Sequence, residues 1–119
     1  MAVDLTKLRL LQNKKRNLTT KLSNYRNMKL KMNQAISKIN YAEGEGERAC
    51  SMFRKAYESE SPEVNRKKEE LENETDKIIQ VKGNINRIIE EIDVKIEQIL
   101  DEITMTEREI QQIMMAANS

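Results

Sequence analysis

Histidine and tryptophan are missing from this chain of 119 residues, and cysteine, proline and phenylalanine occur once each. Without histidine, the common zinc sites and imidazole-based acid, base or nucleophilic chemistry lack their central part. A single cysteine, Cys50, cannot staple the chain to itself. Nothing beside it marks an activated thiolate, so it reads as a small, half-buried helical residue, with an intermolecular disulfide as the alternative. Three glycines and one proline leave too few reversal points for an all-β or α/β fold. Every apolar run is far shorter than the roughly 18 residues of a membrane span. The segment from Met1 to Gln12 also lacks the apolar stretch of about 7–15 residues that a signal peptide needs. The expected location is the cytosol, and any export of the chain with a cargo would use a route that reads no cleaved signal.

What is present points to helix. Hydrophobic residues make up 38% of the chain and charged residues 34%, with 21 Lys+Arg against 20 Asp+Glu. From Leu8 the apolar residues follow a 3-4 rhythm through Leu11, Leu18, Leu22, Tyr25, Met32, Ile36 and Ile39, with Lys15 and Lys29 at the two seam positions that fail. The rhythm returns at Leu71, Ile78, Ile85, Ile89, Ile92, Ile96, Ile99, Ile103, Ile110 and Ile113, where Thr75, Lys82 and Thr106 are the exceptions. Heptads sustained over this length predict a coiled coil. Lys15, Lys29 and Lys82 either set register and partner number or reach out of a loose interface.

Between the two stripes, Gly44 and Gly46 sit among Glu43, Glu45 and Glu47, and glycine costs about 1 kcal/mol inside a helix. The first helix is therefore expected over about 4–42. A glycine-containing break and a short helical piece over about 43–60 should follow, since Ala49, Met52, Phe53 and Ala56 recur at helical spacing. Ser61 as N-cap, Pro62 in the first turn and Glu63 at the positive end of the dipole start a long helix over about 62–116. With a rise of about 1.5 Å per residue, that helix is roughly 80 Å long. The fold expected for 1–119 is one all-α domain, an elongated antiparallel helical hairpin or coiled coil with a short middle segment. The chain reverses either at Gly44–Gly46 or at Ser59–Pro62.

Charge supports antiparallel pairing. Residues 1–42 carry ten Lys+Arg and one Asp, whereas residues 64–119 carry eight against thirteen Asp+Glu. A basic first arm beside an acidic last arm gains complementary flanking pairs, which set orientation more than stability.

The last helix carries more apolar surface than one partner helix covers. Val81 and Ile88 lie on one flank of the isoleucine seam, Leu100 and Met114 on the other. Isoleucine at both seam positions, as from Ile85 to Ile103, suits three- or four-helix assemblies. A further helical partner is expected, either a second copy or another protein, on a surface formed by Phe53, Val81, Ile85, Ile88, Ile92, Ile96, Ile99, Leu100 and Ile103. The alternative is that the segment around Phe53 folds back over the flank.

The acidic residues, among them Glu69, Glu70, Glu72, Glu74, Asp76, Glu97 and Asp101, have no glycine-rich ligand loop and read as a solvated face. Gly44-Glu45-Gly46 is neither a P-loop nor a dinucleotide fingerprint. No enzyme, cofactor or metal is expected. Lys14, Lys15, Arg16, Lys21, Arg26, Lys29 and Lys31 could neutralise phosphates, but base-stacking aromatics are scarce and net charge is only +1. An acidic arm or partner fits that basic face better than nucleic acid.

The opening Leu8-Arg9-Leu10-Leu11-Gln12, the Gly44/Gly46 break followed by Ala49 and Phe53, and the Ile85-to-Ile113 heptads form a layout that covers nearly the whole chain. It resembles the small α-helical proteins encoded beside LXG toxins of Gram-positive type VII secretion systems, relatives of the WXG hairpin superfamily. Glu45-Gly46 stands where that superfamily has its central Trp-x-Gly. The superfamily's Tyr-x-x-x-Asp/Glu export signal has one literal match, Tyr41-Ala42-Glu43-Gly44-Glu45, which lies at the end of the first stripe instead of after the second. The resemblance implies a chaperone-like adaptor: the hairpin binds side by side to the helical N-terminal region of a toxin, together with any second small helical partner, and helps target it for export. The competing expectation is a structural coiled-coil hairpin of an export apparatus, or a self-assembling rod.

Overall fold

The structure, a computed structural model, describes residues 4–56 and 62–118. They form two helices, α1 (Leu5–Ala56) and α2 (Pro62–Ala117), and no strand occurs among the described residues. The expected all-α antiparallel helical hairpin is what forms. Asp4 caps α1: its Oδ1 accepts the Lys7 N–H at 3.0 Å, which serves one of the amides a helix start leaves unpaired, and its carbonyl accepts the Leu8 N–H at 2.9 Å as the first helical bond. Pro62 opens α2, with Glu63 in its first turn, as the dipole and the missing proline N–H favour. The expected cap at Ser61 lies outside the described residues. At the far end the Asn118 N–H donates to the Met115 carbonyl at 3.1 Å.

One boundary is corrected. α1 does not stop near Ala42 but runs without interruption through Gly44 and Gly46 to Ala56. No separate helix therefore begins after the glycines, and Arg48–Ala56 is the tail of α1, not a segment that folds back. The reversal expected at Gly44–Gly46 does not occur. The other candidate, Ser59–Pro62, falls outside the described residues except for Pro62 itself. The physical reason is that the 3-4 spacing does not end at Ile39. It continues through Glu43, Gly46 and Cys50, and packing of a continuous seam outweighs the propensity cost of two glycines. At Gly46 the helices approach closely: a Cβ built on it would lie 2.6 Å from Thr75 Oγ1 and 3.3 Å from Thr75 Cγ2. Around Gly44 such a Cβ meets nothing within 4 Å.

The chain forms two compact units: a terminal unit of Met1–Leu30 with Glu90–Ser119, and a middle unit of Lys31–Ile89. In the terminal unit Leu18, Leu22 and Ile99 form the buried core, with Tyr25, Ile96 and Ile103 packed against it. Leu11 and Ile92 are buried as well. Burial of each such side chain stabilises by roughly 1.5–3 kcal/mol relative to exposure. The most enclosed residue is polar, Thr106, at 1% exposure. Its hydroxyl donates to the Glu102 carbonyl at 2.7 Å, which satisfies the polar atom within its own helix and leaves the methyl for the seam. In the middle unit the buried residues are Cys50 and Thr75, flanked by half-buried Ile36, Ile39, Ile78, Ile85 and Ile89. Thr75 donates to the Leu71 carbonyl at 3.0 Å, so both threonines that interrupt the isoleucine series are satisfied in the same way. Among the described residues no buried side-chain nitrogen or oxygen lacks a partner.

Candidate partner-binding surface

The three lysines that break the seam each reach a carboxylate on the opposite helix. In the terminal unit Lys15 Nζ lies 3.2 Å from Glu107 Oε1, and Lys29 Nζ 2.6 Å from Asp93 Oδ1. In the middle unit Lys82 Nζ donates to Glu43 Oε2 at 3.2 Å, with the side chains 32% and 22% exposed. Each lysine lays its stem along the seam and lifts its charge to the edge, where a partner waits. These groups are committed to holding α1 against α2.

The surface residues expected from sequence separate into two sets. Ile92 and Ile99 are buried, and Ile85, Ile96 and Ile103 are half-buried between the two helices. Their apolar stripe is thus largely covered from within the chain. Val81 at 48% exposure, Ile88 at 40% and Leu100 at 39% remain open to solvent. Phe53 lies in α1, and its side chain is outside the described residues.

Heptad positions explain the division. With Lys82 as a and Ile85 as d in α2, and Leu8 as a and Leu11 as d in α1, the seam is the a/d set of both helices. Val81 and Ile88 then occupy g, whereas Leu100 occupies e on the other flank. In the middle unit the g positions of α1 are Ala35, Ala42 and Ala49. On α2 the g positions of this unit are Lys67, Glu74, Val81 and Ile88, and the last two with these alanines widen the a/d seam on one side of both helices. Ile39, Ala42, Ile78 and Val81 line a groove of about 280 Å³, with Lys38, Glu74 and Lys77 at its rim. An apolar face that includes a, d and g belongs to a helix of a multi-helix bundle, whereas a two-stranded coil needs a and d alone. In the terminal unit the g positions are Lys7, Lys14, Lys21 and Met28 on α1 and Lys95, Glu102 and Glu109 on α2, a mostly charged flank, while Leu100 and Met114 stay exposed on its e flank.

The alanines are the residues that reading the sequence for large side chains misses. Their signal was a seven-residue spacing of small side chains one place before each seam residue. Cys50, expected to be half-buried, is buried and unpaired with another cysteine, and it fills a seam position. Among the described residues no cluster of His, Cys, Asp or Glu has the geometry to hold a metal ion, and no helix is long and apolar enough to cross a membrane. Comparison with protein families, curated proteins and solved structures finds no match to this chain.

Proposed function

We propose that the protein is a non-enzymatic helical adaptor, which lends the a/d/g face of its middle unit to a helical partner. The observation that carries this reading is the exposed apolar row of Val81 and Ile88 beside Ala35 and Ala42, a third stripe that the hairpin's own pairing leaves uncovered. A wet apolar stripe of this kind is stabilised by a helix laid into it, with anchors spaced three or four residues apart. The resemblance of the Leu8-to-Gln12 opening and the Ile85-to-Ile113 heptads to partners of LXG-type toxins, though without the glycine break, supports the helical N-terminal region of such a toxin as the partner and type VII export as the outcome. The terminal unit, with its buried core and two ion pairs between the helices, supports the second reading of a structural hairpin.

Co-expression with the open reading frames that flank the gene tests the adaptor reading. The expected result is a defined heteromer with a larger helical protein, lost when Val81 is changed to lysine. A chain that co-purifies with no flanking product, or whose heteromer is indifferent to Val81, would sink it.

A further inference from the structure

The groove of the middle unit has a specific occupant in its own chemistry. Its rim carries both signs of charge, Lys38 on α1 with Glu74 and Lys77 on α2, and Glu45 follows Lys38 by one heptad on the same flank of α1. A rim of one sign would repel a second copy, whereas this mixed rim is its own complement. Both helices also carry the extra apolar row, so the unit has the form of half a four-helix bundle. We infer that a second copy of this chain docks face to face on the Val81–Ala42 groove and closes the middle unit into a twofold-symmetric four-helix bundle. This inference rests on the adaptor reading, because it assigns the same face a resting occupant that the partner must displace.

The geometry of the twofold follows from the charges. With the axis parallel to the helices, α1 of one copy lies over α2 of the other. The contact of Gly46 with Thr75 sets which residues stand at one level, and it places Glu45 within about one residue of the level of Lys77. Glu45 of each copy then meets Lys77 of the other, twice by symmetry. In the single chain these groups have only local pairs, Glu45 with Arg48 at 2.9 Å and Lys77 with Glu74 at 3.5 Å, which are exposed and easily exchanged.

Light scattering of the purified full chain over a range of concentrations tests this. The expected mass is twice 13.9 kDa. Val81→Lys should raise the dimer dissociation constant by about a hundredfold or more, since a charge would be buried without a partner, while helix content by circular dichroism stays unchanged. Ala42→Glu, at an exposed position with no seam role, provides the same test if Val81→Lys loses helix. Ile79→Lys, equally exposed but on the e flank of the same unit, should leave the mass unaltered. Glu45→Lys and Lys77→Glu should each weaken the dimer, and together restore it. A monomer at every concentration, a dimer untouched by both Val81→Lys and Ala42→Glu, or one broken equally by Ile79→Lys would overturn the inference. A chain monomeric alone that still forms a heteromer with a flanking product leaves the adaptor reading and removes the dimer. A dimer that no flanking product displaces does the reverse.

Discussion

The terminal and middle units share one heptad lattice but differ in what surrounds it. In the terminal unit residues 1–30 carry eight Lys+Arg and one Asp, and residues 90–119 carry two against eight Asp+Glu. In the middle unit the corresponding balances are five to three over 31–56 and six to six over 62–89. The complementarity that reads from sequence as a property of whole arms is thus confined to the terminal unit. Among the described residues, its two cross-helix ion pairs run from α1 lysines to α2 acids, whereas the pair in the middle unit runs from an α2 lysine to an α1 acid. In the terminal unit the g flank of the seam is charged, whereas in the middle unit Val81 and Ile88 leave that flank apolar and exposed.

The largest test of this contrast lies in the cores. Ile99→Ala in the terminal unit should cost about 2–5 kcal/mol, measured as the shift of the thermal midpoint, because the side chain is buried among Leu18 and Leu22. Val81→Ala in the middle unit, measured at a concentration where the chain is monomeric, should cost under about 0.5 kcal/mol. Equal losses would erase the distinction between a covered and an uncovered stripe.

The close approach in the middle unit is tested next. Gly46→Ala should destabilise by about 1–3 kcal/mol, because Thr75 is short, branched, buried and tied to Leu71, so it has nowhere to retreat. Combined with Thr75→Ala, most of that loss should return, and a double-mutant cycle reads the coupling. Gly44→Ala, two residues away, should have the opposite sign and stabilise by up to about 1 kcal/mol. If both glycine variants stabilise, the helices do not meet at Gly46.

The smallest effect belongs to the edges. Asp93→Asn should cost no more than about 1 kcal/mol at low ionic strength, because both members of its pair with Lys29 are over a third exposed. Denaturation at several salt concentrations should show the difference fading as screening increases. A cost that survives high salt would mean that the pair is more enclosed than its exposure indicates.

Most of the fold was legible in the chain because the seam repeats. Leu8 to Ile39 and Leu71 to Ile113 announce two long helices by spacing alone. The continuation through Glu43, Gly46 and Cys50 obeys the same spacing, but hydrophobic counting stops at a glutamate and a glycine. Propensity, which is local, pointed to a break that packing, which is not local, removes. The candidate surface was half legible. Val81 and Ile88 stood out as flank residues, whereas the alanines opposite them did not, because a small side chain signals a groove only once the facing helix is in place. The seam isoleucines Ile92 and Ile99 were readable as apolar but not as already covered, since a single stripe does not say which of two partners takes it.

The seam lysines have a consequence for alignment. A lattice that repeats every seven residues permits one helix to slide along the other by a full heptad and still bury leucine against isoleucine. After such a slide Lys15 would find Leu100 or Met114 where Glu107 had been, Lys29 would find Asn86 or Leu100 in place of Asp93, and Lys82 would find Ile36 or Cys50 in place of Glu43. None of these is an acid. Gly46 would meet Lys68 or Lys82 instead of Thr75, a long side chain where the helices lie close together. The irregular residues act as the teeth of a key in an otherwise featureless track, and the few places where the heptad fails are what keep it from slipping.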